Sequence, residues 1–557
     1  MSTPAQVSAP VSAPPFWFGV GSSAFQVEEG AGRGAGIWDQ LVPPALAERL
    51  SPRHWSLFDQ DLRLLQWLGV NAYRLSLSWP RLQPAGPGGF EAGAVRHYRS
   101  MLQALVDSGI APLVTLYHWE LPIWAHHCGG WLHPFTVEAA THFAALAGQA
   151  FGDLVTNWIT INEPWCVAFL GYGTARHAPA LNNPTAIWPA ACNLNRAHHS
   201  MAAALKAADP SARVGLALNI HARLPSAPPG ITPRPQPLTA HSGVPSAPPG
   251  FTAAAAPSPP APAALGGTPP DWLQLLGDEL FLGPALDGAY APSLRAAITA
   301  LWGESADPGA TRLPGAQAPD FLGVNYYGAY VVGPEDGAAG APPTSPPAAG
   351  ASPTGPPPAG TPPTPPPAGA PPTGPPLAGA PPTPPAGSGV GGLAPSPEGA
   401  PPSCANAPPP LGRAPGWEHV PGPAIWQVPP DGVPPAAHAA ALRTWLTEFA
   451  EHRPGLPLVI TENGYPRRRG GPHPLRDPER IEFLEAHLRQ VLAARQAEVP
   501  IEGYFAWSFL DSIEWDSLGD VEFGLIAVEG GTRARHPRQS AHWYRDRIAA
   551  ERLGGEP

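Results

Sequence analysis

Short, nearly continuous apolar runs alternate along this chain with longer segments whose apolar residues recur at i, i+3, i+4 and i+7. The short runs, such as APLVTLYH and PLVIT, read as strands buried on both faces, which is the pattern of a parallel sheet. The longer ones, such as SLFDQDLRLLQWLG and EAGAVRHYRSMLQALVDSG, carry the stripe of amphipathic helices. Eight strands can be placed: Phe16–Ser23, Asn71–Ser78, Pro112–His118, Asn157–Asn162, Arg213–Ile220, Phe321–Tyr327, Leu458–Thr461 and Ile501–Ser508. Periodicity by itself supports six or seven of them. Strand and helix in alternation predict an α/β fold, and eight such units predict a (β/α)8 TIM barrel as a single domain over residues 15–553.

Two stretches break the alternation. Residues 225–270 contain PSAPPG twice, and residues 334–416 contain near-repeats of GAPPTxPPxA from Gly340 to Gly387. Neither has the apolar surface to offset the entropy of ordering, so both are expected to be disordered or polyproline-like insertions in the barrel. The second follows the sixth strand directly, which puts its ends on the face where barrel loops gather. Residues 1–14, mostly Ser, Ala and Pro, read as a disordered tail. Most of the chain's 83 prolines, about three times the usual share, are clustered in such stretches. Neutral drift in an insertion-tolerant loop is the favoured account of them, ahead of a Pro-rich docking segment for a partner domain.

Composition narrows the function. A formal net charge of -11 with only 13% charged residues argues against nucleic acid, which wants a basic face, and suits a neutral ligand such as a sugar. No run of about 18 apolar residues is present, so no membrane span is expected. Met1 to Pro15 has neither a basic residue nor an apolar stretch of the kind a secretory leader carries. Cys128, Cys166, Cys192 and Cys404 have no C-x-x-C spacing and read as buried free thiols of a reducing compartment. A cytoplasmic protein is the expectation, and a homo-oligomer is compatible with it. The pairs His126-His127 and His198-His199 do not make a metal site, because adjacent side chains do not share a helix face.

Two strands end in carboxylates. The fourth runs into Thr160–Trp165, TINEPW, and the seventh into Val459–Gly464, VITENG. Each delivers one Glu, Glu163 or Glu462, to the carboxyl end of a barrel strand, each followed at once by an expected turn residue, Pro164 or Asn463-Gly464. Either Glu alone is more often a surface or ion-pair residue. Two facing each other across a pocket are what glycoside hydrolysis requires: one protonates the leaving oxygen, and the other attacks the anomeric carbon or, across a wider gap, activates water.

These motifs resemble glycoside hydrolase family 1, the β-glucosidase family. The resemblance runs from about Phe16 to Tyr544, leaving out the Pro-rich insertions, and supports the full count of eight strands. It rests on SSAFQVEEG with Gln26, NAYRLSLSWPRL with Arg74, and TLYHWELP with His118 and Trp119. WITINEPW follows with Asn162 and Glu163, DFLGVNYYG with Asn325 and Tyr327, LVITENGY with Glu462, and GYFAWSFLDSIEW with Trp507, Glu514 and Trp515. The family pattern implies Glu163 as acid/base and Glu462 as nucleophile, held by Arg74 and Tyr327. Asn162 would bind the sugar 2-hydroxyl, and Gln26, His118 and Glu514 the other hydroxyls. Trp507 would floor the sugar ring and Trp426 would line the aglycone side. Trp119, Asn325, Trp515 and Phe523 complete the implied substrate site. No metal and no organic cofactor is implied, and the ligand is a small β-glycoside.

The sequence departs from the family at two places. SPRHWSLF stands where a Tyr-His pair is usual, and Glu522 stands where a cation is common before FGL. These changes touch the choice of sugar more than the reaction. Glu514 would repel a phosphate, which argues against a phospho-β-glycosidase, and the presence of Glu163 argues against a thioglucosidase. β-Galactosidase or β-fucosidase activity, transglycosylation, and a non-catalytic sugar-binding scaffold remain the alternatives to a β-glucosidase. Removing residues 340–387 is expected to leave the melting temperature of the protein almost unchanged; a large drop in a thermal scan would show that the insertion packs on the barrel.

Overall fold

A computed structural model describes residues 16–224, 273–309, 312–331 and 433–554. The expected tail 1–14, both expected insertions and Trp426 lie outside the described residues. Eight parallel strands close into a barrel: β1 (Trp17–Gly21), β2 (Ala72–Ser76), β3 (Ala111–Tyr117), β4 (Asn157–Asn162), β5 (Arg213–Asn219), β6 (Phe321–Asn325), β7 (Leu458–Asn463) and β8 (Ile501–Trp507). Each pairs with its sequence neighbour, and β8 returns to β1, with Gly21 opposite Trp507. Helices such as Phe58–Leu68, Ala92–Asp107 and Pro134–Phe151 pack their apolar faces on the outside of the strands. Gly69 ends the first of these in a left-handed conformation, φ 71°, and Glu91 caps the second by accepting the N–H groups of Gly93 and Ala94.

Side chains alternate across each strand, which divides the core in two. Ala72, Leu113, Ile159, Ala217, Phe321, Val459 and Phe505, one from each of β2 to β8, form a dry plug inside the barrel, with Trp17 of β1 against it. Two residues further along, the same inward face carries Arg74 on β2, Thr461 on β7 and Trp507 on β8. An apolar floor therefore supports a layer of functional side chains.

Two strands break the alternation where it matters. Between Ile159 and Asn162, β4 spends three residues against two of β5, so its register shifts. Without that extra residue, Ile161 would point inward with Ile159; instead Ile161 joins the outer core and Asn162 turns toward the barrel axis. The register of β7 shifts against β6 between Val324 and Asn325, which brings Asn325 opposite Glu462. Both carboxylate-bearing strands are thus bulged at their functional ends.

Strand limits differ from the sequence expectation by one to two residues at most ends, and β7 continues through Glu462 to Asn463. Nor is Pro164 a turn residue. It opens the helical segment that continues as Cys166–Gly173, where its missing N–H costs no hydrogen bond. Among the described residues, three pairs of short strands and two isolated bridges lie outside the barrel, among them the antiparallel pair Arg467–Arg468 and Val521–Glu522.

Gly464, just after β7, marks a close approach of two backbones. A Cβ there would overlap the carbonyl oxygen of Trp507. Gly464→Ala is expected to destabilise the protein by about 1–3 kcal/mol, read as a lower urea midpoint with an unchanged slope.

Candidate active site

The carboxyl ends of β2, β4, β6 and β7 converge on one buried hydrogen-bonded cluster. Arg74, on β2, is fully buried and donates through Nη1 to Glu462 Oε1 and, at 3.2 Å, to the Thr461 carbonyl. Its Nη2 donates to Asn162 Oδ1 at 2.7 Å. Asn162 Oδ1 also accepts from Asn325 Nδ2 at 3.0 Å, and the same Nδ2 reaches Glu163 Oε1 at 2.7 Å. Thr461 fixes the orientation of that amide by donating to Asn325 Oδ1 at 2.6 Å. A continuous polar chain therefore joins Glu462 to Glu163 through Arg74, Asn162 and Asn325.

The two carboxyls meet unequal surroundings. Glu462 has a guanidinium on one oxygen and the Tyr327 hydroxyl, donating at 2.6 Å, on the other. Burial, then the charge of Glu462, keep that phenol far above its ordinary pKa, so it remains a donor. Glu163 is held by neutral groups, Asn325 on Oε1 and the Cys166 thiol on Oε2 at 3.1 Å. Burial first, and repulsion from Glu462 second, raise its pKa to about 8. Glu163 thus keeps a proton at neutral pH beside a carboxyl held by a cation. Its backbone is left-handed, φ 44°, and its N–H is tied to the Ala217 carbonyl of β5 at 2.8 Å. A non-glycine residue is held there only by such surroundings.

Around this pair lies a cage of aromatic and polar groups. His118 Nε2 lies 3.3 Å from Asn162 Nδ2, so the amide donates to it and the ring proton belongs on Nδ1, which has no protein partner. Burial, with Arg74 nearby, pushes the pKa of His118 well below its ordinary value, so the ring is neutral. Trp507 stacks on His118, with centroids 5.8 Å apart and an interplanar angle of 13°. Trp119 spends its indole N–H on the Asn162 carbonyl at 2.8 Å and packs its ring against Trp515 at 5.1 Å. Gln26 donates to the Ile513 carbonyl at 2.8 Å and lies 3.4 Å from Glu514 Oε2, whereas Glu514 Oε1 is buried with no protein partner. Phe523 meets Tyr327 edge-on at 5.8 Å. Every site residue expected from sequence that lies among the described residues is brought to this region.

The chain is similar to known proteins along nearly all of its length. The model of Glycosyl hydrolase family 1 matches residues 13–232 and 426–553, well over half of the chain. This chain belongs to glycosyl hydrolase family 1. A bifunctional β-D-glucosidase/β-D-fucosidase of Bifidobacterium breve is 28% identical over 563 residues, covering 96% of this chain and 97% of the relative. A thermostable β-glucosidase B of Thermobispora bispora is 29% identical, covering 95% and 89%. The crystal structure of a psychrophilic β-glucosidase from Micrococcus antarcticus superposes with a TM-score of 0.66 at 25% identity, covering 96% of this chain and 97% of that one.

Both departures from the family pattern have a structural account in this family 1 enzyme. His54, of SPRHWSLF, is buried between Asp61 at 2.8 Å and the Tyr73 hydroxyl at 3.1 Å, and Asp61 is gripped bidentately by Arg535. Glu522 accepts from Arg538 at 2.8 Å and faces Arg467 and Arg469 at 3.4 and 3.5 Å. Of the two histidine pairs, His198-His199 is tied into the core: His198 Nδ1 lies 2.7 Å from the Thr160 hydroxyl, and His199 Nε2 lies 2.9 Å from the Pro284 carbonyl. Among the described residues, no helix is long and apolar enough to cross a membrane.

Sequence reading passed over Cys166 and Thr461. Cys166 lies three residues beyond Glu163 in a helical segment, a spacing that brings the thiol back to the carboxyl. Thr461 is two residues beyond Val459 on the inward face of β7, a position the alternation could have flagged. The coupling between the two carboxyls has a sign that can be tested. Glu462→Gln removes the repelling charge and is expected to lower the pKa of Glu163 below its wild-type value, followed by 13C NMR of labelled glutamate; a rise would contradict the proximity of the two groups.

Proposed function

We propose that this glycoside hydrolase is a retaining β-glucosidase that removes terminal non-reducing β-D-glucosyl residues from short oligosaccharides or from aryl and alkyl glucosides. The observation that carries the reading is the pair of buried carboxyls in opposite electrostatic states of preparation: Glu163 proton-bearing, Glu462 gripped by Arg74 and Tyr327. The names of the relatives from Bifidobacterium breve and Thermobispora bispora support the glucose preference.

In the first step Glu163 gives its proton to the aglycone oxygen as Glu462 attacks the anomeric carbon from the opposite face. The glycosidic C–O bond breaks, the alcohol leaves, and an α-linked glycosyl ester forms on Glu462. Retaining enzymes hold such carboxyls about 5 Å apart, where two unit charges repel by roughly 3 kcal/mol at an effective dielectric near 20. That is worth about two pKa units. Esterification removes the charge of Glu462, so the pKa of Glu163 falls; Glu163 stays a carboxylate and serves as the base that takes a proton from the water attacking the anomeric carbon, as the bond to Glu462 breaks. The second inversion restores the β configuration and the original protonation of both groups.

The substrate contacts extend the proposal. Asn162, oriented by Arg74, would bind the 2-hydroxyl, where a hydrogen bond strengthens as the oxocarbenium-like transition state forms. Nδ1–H of His118 and Oε1 of Glu514 are a donor and an acceptor without protein partners, suited to the remaining hydroxyls with Gln26. Trp507 supplies an apolar face for the ring. β-Fucosidase activity is a companion reading, because the Bifidobacterium breve relative carries it in its name. The free thiols of Cys166 and Cys192 suit a cytoplasmic enzyme, and a homo-oligomer is compatible with this site.

Chemical rescue tests the assignment. Glu462→Gly should abolish hydrolysis of an activated aryl β-glucoside, and azide should restore turnover with an α-glucosyl azide as product. A β-configured azide, or full activity without azide, would remove Glu462 from the role of nucleophile.

A further inference from the structure

Glu514 sits in a loop after β8 that must hold a carboxylate in a buried position without the rigidity of a strand. That loop is braced from two sides. Inside, Gln26 donates to the Ile513 carbonyl at 2.8 Å. Outside, Arg469 donates from Nη2 to the Ser512 carbonyl at 3.1 Å and from Nε to the Gly519 carbonyl at 2.8 Å. Its backbone N–H donates to the Asp520 carbonyl at 2.8 Å. One guanidinium therefore spans the ends of the segment that contains Glu514 and Trp515. Between those ends the chain turns sharply, with Leu518 and Gly519 both at positive φ and the Leu518 N–H returning to the Glu514 carbonyl.

We propose that Arg469 is a positioning residue for sugar recognition: by clamping the backbone on both sides of Glu514 and supplying the attractive charge behind it, Arg469 sets the carboxylate that holds the glycone 4-hydroxyl. The proposal rests on the reading of Glu514 as a glycone contact and takes the 4-hydroxyl as the group that it holds. The charges around Glu514 support it. Burial first, with repulsion from Glu462 and Asp511, raises the pKa of Glu514 well above its ordinary value, and Arg469 is the main group that opposes this. The sequence shows how the arrangement is paid for in charge. The pair Arg467–Arg468 and Val521–Glu522 is antiparallel, and Glu522 occupies the position where a cation is common. The opposite strand carries Arg467 and Arg468 and is followed by Arg469, and Glu522 lies 3.4 Å from Arg467 and 3.5 Å from Arg469. A lysine could not replace Arg469 fully, because one ammonium cannot reach two carbonyls in the fixed fork of a guanidinium.

The test compares 4-nitrophenyl β-D-glucoside with its 4-deoxy analogue. On one preparation the ratio of their kcat/KM values does not depend on the fraction of folded enzyme. Arg469→Met is expected to lower that ratio about tenfold, through a raised KM for the glucoside, with the 4-deoxy substrate little changed, and Arg469→Lys to restore part of it. Glu514→Gln, measured alongside, should lower the ratio as well. A wild-type ratio in Arg469→Met with a lowered one in Glu514→Gln overturns the role of Arg469 alone. A wild-type ratio in Glu514→Gln overturns the glycone reading of Glu514, and the inference with it.

Discussion

A guanidinium taken wholly out of water must have its charge answered nearby, and in this protein the answer given to Arg74 organises the site. Its two terminal nitrogens reach Glu462 and the Thr461 carbonyl on β7 and Asn162 on β4. Removing one partner of a buried ion pair strands the other charge, at a cost of about 3–5 kcal/mol. That penalty pins three strands to each other at the height where the chemistry is placed. Asn162 passes the constraint to Asn325, and Asn325 passes it to Glu163, so a single cation sets the positions of both carboxyls.

The same burial that makes Arg74 demanding makes the carboxyls different. Beneath them lies the dry plug from Ala72 to Phe505, and around them the indoles of Trp119, Trp507 and Trp515. Both carboxyls are buried, so the groups that touch each one matter more than they would in water. Glu462 has a cation and a phenol. Glu163 has an amide and a thiol, and faces the charge of Glu462. Division of labour between acid and nucleophile needs no difference in residue type, only a difference in what each carboxyl touches. His118 follows the same logic: burial beside Arg74 keeps it neutral, which leaves one ring nitrogen to accept from Asn162 and the other to donate.

Away from the reaction centre, ion pairs define the loops that close over the barrel. Asp511 and Glu522 share Arg538, and Arg480 binds Asp477 and the carbonyls of Glu522 and Gly524. Asp61 holds Arg535 and His54. The two stretches that depart from the family pattern belong to these networks: His54 is buried against Asp61 and Tyr73, and Glu522 against Arg538.

The chain's order of apolar runs was enough to predict a parallel α/β fold with six or seven strands, because a strand covered on both faces leaves a continuous apolar signature and a helix leaves a periodic one; the count of eight came from the family resemblance. It also placed Glu163 and Glu462 at the ends of two strands, whereas Arg74, Asn162, Asn325 and Tyr327 were legible only through the motifs of the family resemblance. Tertiary structure decided how they face. Strict alternation would have sent Asn162 to the outer layer and Ile161 to the axis; the bulge in β4 reverses them, and the register shift in β7 sets Glu462 opposite Asn325. An extra residue in a ladder is defined only by the partner strand, which local sequence does not contain. The contacts of Cys166 and Arg469 are of the same kind, since a thiol's or a guanidinium's role depends on which carboxyl or carbonyl the folded chain brings to it.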